Sequence, residues 1–323
     1  MIKFYKSNKL ISMLLISMCV IIMFNPLVYS KSCLNALSVW AFKILPVMFP
    51  FFIFTRLIVN INTPNQNFMD KFFNKLYNTP TGSFSTFFLS ILSGYPMGAK
   101  LISTKFQNNQ ISSRDAKKML SFCSVSGPMF MIGTVGVGLL QSFKAGVIIL
   151  ISNIFASLLN GLIYRGKNKS NEKIFEYKTP RSNNLLADSV YDSLISILMV
   201  GSYIVLSFII IDLLKNLHIT STLSNIICCV FNISEQHDVV MSMINGFIEI
   251  TRGILDLSLT TLTLKIKTII ASTLVAFGGF SILLQSINFL GKIKISIKTL
   301  LFQKTTQAIL CLFISSLLCF IFF

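Results

Sequence analysis

The stretch SGYPMGAK (residues 93–100) sits in strongly apolar surroundings, yet it packs glycines, a proline and a lysine into eight residues. A second interrupted stretch, SGPMFMIGTVGVG (126–138), follows in equally apolar sequence. Breaks of this kind would be ordinary in a soluble loop and are costly in a membrane helix, so the fold turns on which medium surrounds the chain. Composition answers that. Hydrophobic residues make up 53% of the 323 residues and charged residues 12%, with a mean hydropathy of +0.73. Soluble domains carry about 25% charged residues, so this chain lacks the polar surface to cover a soluble fold of its size. Windows 10–29, 45–61 (slightly short), 143–163, 194–214 and 299–322 approach or reach the roughly 20 apolar residues that cross a bilayer. The class is an all-α polytopic membrane protein.

The net charge of +17 resides in short polar connectors: Lys105/Arg114/Lys117/Lys118, Arg165/Lys167/Lys169/Lys173/Lys178/Arg181 and Lys292/Lys294/Lys298. That distribution follows the cytoplasmic Lys/Arg bias of membrane proteins and argues against nucleic acid as a partner. The membrane lipid is the expected surrounding, and homo-oligomerisation is left open. Seven cysteines lie mostly within apolar segments without metal-type pairing and read as small packing residues. At the N-terminus, Lys3, Lys6 and Lys9 precede the run 10–29, and Val28-Tyr29-Ser30 resembles a weak signal-peptidase site. The length of the run favours an uncleaved first helix with its N-terminus in the cytoplasm.

Shifting the chain by 152 residues aligns Gly94 with Gly246 and Lys100 with Arg252, so that GYPMGAK faces GFIEITR. SGP (126–128) then faces FGG (277–279) one residue out of step, and LPVMFPFFIFTRL (45–57) faces ILMVGSYIVLSFI (197–209). Charge bias tests the duplication. If 83–102 crossed fully, the basic connector 103–118 would be stranded outside; a segment that enters and returns on one side removes the conflict. Carried through the chain, this predicts about seven transmembrane helices and two re-entrant segments, 83–102 and 239–256, in an inverted structural repeat. The expected divisions are an N-terminal transmembrane helix (1–33), a first repeat (34–163), a basic cytoplasmic linker (164–185) and a second repeat (186–323). Inverted repeats are typical of secondary transporters, with sites at the repeat interface. Non-helical backbone at membrane depth survives only where protein buries it or a wet cavity adjoins it.

Candidate ligand residues follow from the breaks. Gly94, Tyr95, Pro96 and Gly98 can end one half-helix and start another, whose free N–H groups favour an anion; Lys100 adds a positive charge. Ser126, Gly127 and Pro128 suit the start of a fresh helix. Glu249 and Arg252 are ionisable groups at membrane depth: Glu249 is a candidate coupling carboxylate for a proton or cation, and Arg252 is the counterpart of Lys100. A local Glu249–Arg252 ion pair is the structural alternative. Gly278, Gly279 and Gln285 complete the set, while Asp212 and Arg56 read as interfacial anchors. No HExxH, GxSxG or P-loop is present, so the sequence suggests neither an enzyme nor a nucleotide-driven pump. No cofactor or metal is expected.

SGYPMGAK, ISSRDAKKMLSFCSVSGPMFMIGTVGVG (111–138), NGFIEITRG (245–253) and AFGGFSILLQ (276–285) together resemble the sporulation integral membrane protein family called YlbJ or SpoVV. The resemblance covers roughly residues 34 to 290. It implies a nucleoside-recognition "gate" domain shared with concentrative nucleoside transporters, and a role in endospore formation. It further implies transport of dipicolinic acid from the mother cell across the outer forespore membrane. Lys100 and Arg252 would then each take one carboxylate of the dianion. A nucleoside transporter and a non-transporting sporulation scaffold are the alternatives.

Overall fold

The computed structural model describes residues 12–13, 16–61, 68–166, 184–233, 236–293 and 295–323. The basic residues Lys3, Lys6 and Lys9, most of the linker 164–185, and Glu235 and Lys294 lie outside the described residues. Helix dominates what is described, and five helices are long and apolar enough to cross a membrane: Pro26–Ile58, Phe143–Ile163, Leu185–Asn216, Leu264–Leu290 and Ile297–Phe322. Their outer surfaces carry exposed Phe54, Leu198 and Phe313, side chains that a hydrocarbon solvent accommodates without cost. The chain is an integral membrane protein.

The same order of elements occurs twice. First come α1 (Pro26–Val39) and α2 (Leu45–Ile61), joined without interruption through a π-helical turn at Trp40–Ile44. Then follow a short amphipathic helix α3 (Phe68–Tyr77), the pair α4 (Ser83–Ser93) and α5 (Met97–Gln107), and α6 (Ser113–Cys123). After α6 the backbone leaves the helix over 124–127 and resumes as a π-helical segment, Phe130–Leu139, before α7 (Phe143–Ile163). The second round has α8 (Leu185–Asn216), a short helix α9 (Ile219–Phe231), the pair α10 (His237–Ile248) and α11 (Ile250–Ser258), and α12 (Leu264–Phe277). α13 (Gly279–Leu290) and α14 (Ile297–Phe322) close the chain.

Both expected re-entrant segments are helical hairpins. In the first, Lys105 Nζ near the end of α5 donates to Gly82 O before the start of α4, at 2.9 Å. A Cβ on Gly98 would come within 3.0 Å of Ser90 Oγ, so the arms run antiparallel. In the second, Gly253 of α11 lies directly on the Gly246 backbone of α10, and Asn245 Nδ2 donates to Asp256 Oδ2 at 2.8 Å. Small residues are what let two helix backbones approach this closely.

Several expectations change. The stretch 119–140 is not one smooth helix: it is split by the non-helical residues 124–127, where Gly127 gives room to the first hairpin's tip. Short helices, α3 and α9, stand between the long spans and the hairpins. α3 forms because its apolar side chains recur at helical spacing: Phe73 and Tyr77 are buried in an aromatic cluster with Phe87 and Phe122, Tyr77 stacking on Phe122 at 4.7 Å between centroids. On the same helix, the Asp70 carboxylate accepts from the Phe84 and Ser85 backbone N–H groups. It thereby neutralises donors that the start of α4 would leave unpaired. Gly94 and Gly246 are not structural equivalents, since Gly94 sits in a hairpin turn and Gly246 within α10.

The long helices frame the hairpins. Trp40 Nε1 donates to Ile197 O at 3.1 Å, and a Cβ on Gly201 would meet the Trp40 ring at 2.7 Å; glycine thus lets the indole seat against α8. α8 has 32 residues, about 48 Å of helix, more than the ~30 Å of a hydrocarbon core. Each hairpin packs on the broken helix of the other half as well as its own: α5 packs on α13, and α11 packs on the Phe130–Leu139 segment. Ser103 Oγ on α5 donates to Phe289 O on α13 at 2.8 Å.

Candidate functional site

Four irregular pieces of backbone meet at the centre: the two hairpin tips and the two helix breaks. Gly94 ends α4 with φ 68, a left-handed value that glycine adopts freely. A Cβ there would sit 2.6 Å from the Gly127 nitrogen, so the first tip is in backbone contact with the first break. The second break, at Gly278 (φ 92) and Gly279 (φ 66), does the same for the second tip: the Gly279 Cβ position lies 3.3 Å from Gly246 O and 3.4 Å from Ile248 O. Tyr95, next to Gly94 and joined to Pro96 by a cis peptide bond, links the halves. Its hydroxyl donates to Ser124 O at 3.2 Å and accepts from Lys304 Nζ on α14. The Gly278 Cβ position is 3.6 Å from that same hydroxyl.

Lys304 is 1% exposed. Its ammonium donates to Tyr95, to Ser124 O at 2.9 Å and to Gln307 Oε1 at 2.8 Å, so all three donors of an ammonium are used, and every acceptor is neutral.

Two cavities border this centre. The smaller, about 50 Å³, is lined by Tyr95, Ser126, Gly127, Glu249 and Gln285 among others, so both tips and both broken helices contribute to it. The larger, about 290 Å³, lies between the first hairpin and helices α2 and α8; Arg56, Lys100 and Asp192 supply its charge, and Phe52, Tyr95, Tyr191 and Phe289 its aromatic wall. Tyr95, Val200 and Gln285 border both. Arg56 is tied to Asp192 Oδ2 at 3.4 Å and to Ser196 Oγ at 3.4 Å. Lys100 borders the same cavity as this pair. α5 starts beside the cavity with no side-chain cap on its first turn, and its Met97 N–H is taken by Gly94 O at 3.0 Å.

Of the residues expected at the site, Tyr95, Pro96, Lys100, Ser126, Gly127, Glu249 and Gln285 line one cavity or the other. Gly94, Gly278 and Gly279 shape the tip and the break. Gly98 is a packing residue against Ser90 and the Cys123 carbonyl, and Pro128 opens the resumed helix after the break without lining either cavity.

Arg252 differs most. Its guanidinium is held by Asp256 at 3.2 Å and Asp212 at 3.4 Å and lies over the Phe208 ring at 5.0 Å. It lines neither cavity. The Glu249 carboxylate does not pair with it; Glu249 Oε2 accepts from the Arg252 backbone N–H at 2.7 Å and caps α11. The second half-helix N-terminus is therefore already capped by the protein's own Glu249 side chain, which corrects the expectation of one substrate carboxylate at each tip. Asp212 is an ion-pair partner rather than an interfacial anchor, and Arg56 faces a cavity. Sequence reading set Arg56 aside and overlooked Asp192 and Lys304. The signal was available, since each is an ionisable residue inside or beside an apolar span, where a partner or a ligand is expected.

No family model matches the chain and no solved structure matches it. The chain is similar to the sporulation integral membrane protein YlbJ of Bacillus subtilis (strain 168), with 27% identity over 302 residues, covering 85% of this chain and 74% of that protein. The similarity supports the YlbJ family assignment that the four motifs imply.

Proposed function

We propose, from the similarity to YlbJ, that this protein is a sporulation membrane transporter for a small organic dianion, with dipicolinate as the leading candidate. The observation that carries the reading is the larger cavity. It joins two cationic side chains, an uncapped helix start and an aromatic wall, which together suit a flat aromatic ring bearing carboxylates. Lys100 and the Arg56–Asp192 pair take the carboxylate roles in this reading, in place of Lys100 and Arg252. Tyr95 and Gln285 stand between the larger cavity and the smaller one, which at about 50 Å³ is too small for such a substrate. Passage would then require the hairpin tips to move apart around Tyr95.

The two rounds of elements would be inverted copies that exchange access, with the outer forespore membrane as the place of action. Glu249, 4% exposed on the wall of the smaller cavity, is the candidate for proton or cation coupling. The neutral lining of that cavity by Ser126, Thr251 and Gln285 is the feature that favours the competing nucleoside reading. Uptake of labelled dipicolinate and labelled uridine into proteoliposomes, measured side by side, tests both. Saturable dipicolinate uptake with no uridine uptake is expected. Uridine uptake alone selects the nucleoside reading, and uptake of neither leaves the scaffold.

A further inference from the structure

A third cavity lies away from the hairpin tips, at the end of the molecule where the basic connectors meet. Arg165 Nη2 donates to Lys75 O at 3.2 Å, Asn78 Nδ2 to Gly166 O at 3.0 Å and Lys118 Nζ to Asn78 O at 2.8 Å. Ser113 Oγ donates to Ile293 O at 3.3 Å. These contacts gather the start of α6, the end of α7 and the approach to α14 on one face, which the Lys/Arg bias assigns to the cytoplasm. The cavity there, about 390 Å³, is lined by Arg114, Lys117, Lys118, Tyr164, Thr299 and Gln303.

Its chemistry is one-sided. Arg114 and Lys117 are exposed on α6, three residues apart and so on one face of the helix, and neither side chain has a hydrogen-bond or ion-pair partner among the described residues. Asp115, the nearby carboxylate, is buried and already partnered: it accepts from Ser112 Oγ at 2.7 Å and lies 3.9 Å from Lys118. Thr299, in the first turn of α14, and Tyr164 add hydroxyls. Gln303, 2% exposed, donates through Nε2 to Lys117 O at 2.8 Å, while its Oε1 is buried without a partner. An unpaired buried acceptor calls for a donor. Immediately beyond the cavity, Ile163 (57% exposed) and Phe302 (70% exposed) face outward, so an acyl chain leaving it would run along an apolar surface.

We propose that this cavity binds the headgroup of an acidic phospholipid, a phosphate diester that also carries hydroxyls. Arg114 and Lys117 hold the phosphate, Thr299 and Tyr164 donate to its oxygens, and Gln303 Oε1 accepts from a headgroup hydroxyl. The site is separate from the transport cavities, so its test does not depend on the substrate.

The experiment uses the full chain in detergent and native mass spectrometry with added phosphatidylglycerol, phosphatidylcholine or sn-glycerol 3-phosphate, alongside thermal unfolding. Phosphatidylglycerol should be retained and should raise the unfolding temperature, whereas the other two should do neither. Each rim cation contributes a factor of about five near a headgroup. The Arg114→Ala/Lys117→Ala pair should therefore weaken phosphatidylglycerol binding about 30-fold, and the Lys144→Ala/Lys265→Ala pair, near the other end of α14, should leave it unchanged. Equal binding of the soluble glycerol phosphate overturns the lipid as source. Equal retention of phosphatidylcholine, or loss of binding in the control pair to the same extent, overturns the site; the wild-type lipid comparison decides this even if the rim variants fold poorly.

Discussion

In the first hairpin, α5 begins at Met97 without a side-chain cap, and Lys100 reaches a cavity one turn later. In the second, α11 begins at Ile250 under the Glu249 carboxylate, and Arg252 is taken up by Asp212 and Asp256. The backbone device is shared, two short helices reversing at a tip beside a broken helix, but the electrostatics are opposite. A helix start attracts negatively polarised oxygen; the second hairpin supplies it from the Glu249 side chain, and the first has no side-chain cap and carries Lys100 one turn on. The anchoring differs too. The first tip is held from outside by Lys304, whereas the second is held through Gly246–Gly253 contact and the Asn245–Asp256 bond within the hairpin. The first hairpin thus borders a cavity with its cation, and the second satisfies its charges internally.

The largest expected effect tests the outside anchor. Lys304→Met removes three hydrogen bonds from a buried ammonium and leaves Tyr95, the Ser124 carbonyl and Gln307 without that donor. Bonds to charged groups contribute about 1.5–3 kcal/mol each, less the relief of burying no charge. A net loss of about 3 kcal/mol or more should appear in unfolding experiments in detergent. Wild-type stability in this variant would mean that the first tip does not depend on α14.

Next comes Lys100. If its charge serves the ligand, Lys100→Ala should weaken dipicolinate binding about 10- to 150-fold, the worth of one charge-assisted hydrogen bond, with expression and insertion unchanged. Lys100→Arg should recover part of it, since a planar fork replaces a point charge. Unaltered binding in Lys100→Ala would make the first hairpin as self-contained as the second.

Arg252→Ala is the mirror experiment and should read out as stability instead. It leaves Asp212 and Asp256, both partly buried, without their cation, at a cost of about 1–2 kcal/mol. Adding Asp212→Asn should restore part of that loss. Ligand affinity, measured on the folded fraction, should stay within about twofold; a Lys100-sized drop would return Arg252 to the substrate site.

The smallest effect belongs to Glu249→Gln. An amide oxygen still accepts from the Arg252 N–H, so loss of the cap's charge should cost about 1 kcal/mol or less, seen as a small shift in unfolding temperature. If Glu249 also carries the coupling proton or cation, this stable variant should equilibrate substrate without concentrating it. A grossly unstable protein would show that the carboxylate's charge holds α11 in place.

The membrane class, the spans at 143–163, 194–214 and 299–322 and the positions of the two reversals were legible in the sequence because each rests on local physics, whereas a long span from Pro26 to Ile58 begins inside the expected first helix 10–29. Apolar length reports the bilayer, basic connectors report the cytoplasmic side, and clustered Gly and Pro report backbone that leaves the helix. Thus GYPMGAK and NGFIEITRG each turned out to hold a hairpin tip, and Gly278-Gly279 a break. Partnership was not legible, because it depends on residues far apart in the chain. Arg252 and Lys100 look alike in sequence, each a cation after a glycine. Only packing brings Asp212, 40 residues away, to Arg252, and places Arg56 and Asp192 around the cavity that Lys100 enters. Only packing, too, drives Lys304 of the last helix against Tyr95, 209 residues distant. A charge in a low-dielectric interior must find its complement wherever the fold provides it, so the sequence by itself determined where the backbone breaks, and the tertiary structure decided which charges those breaks leave open for a ligand.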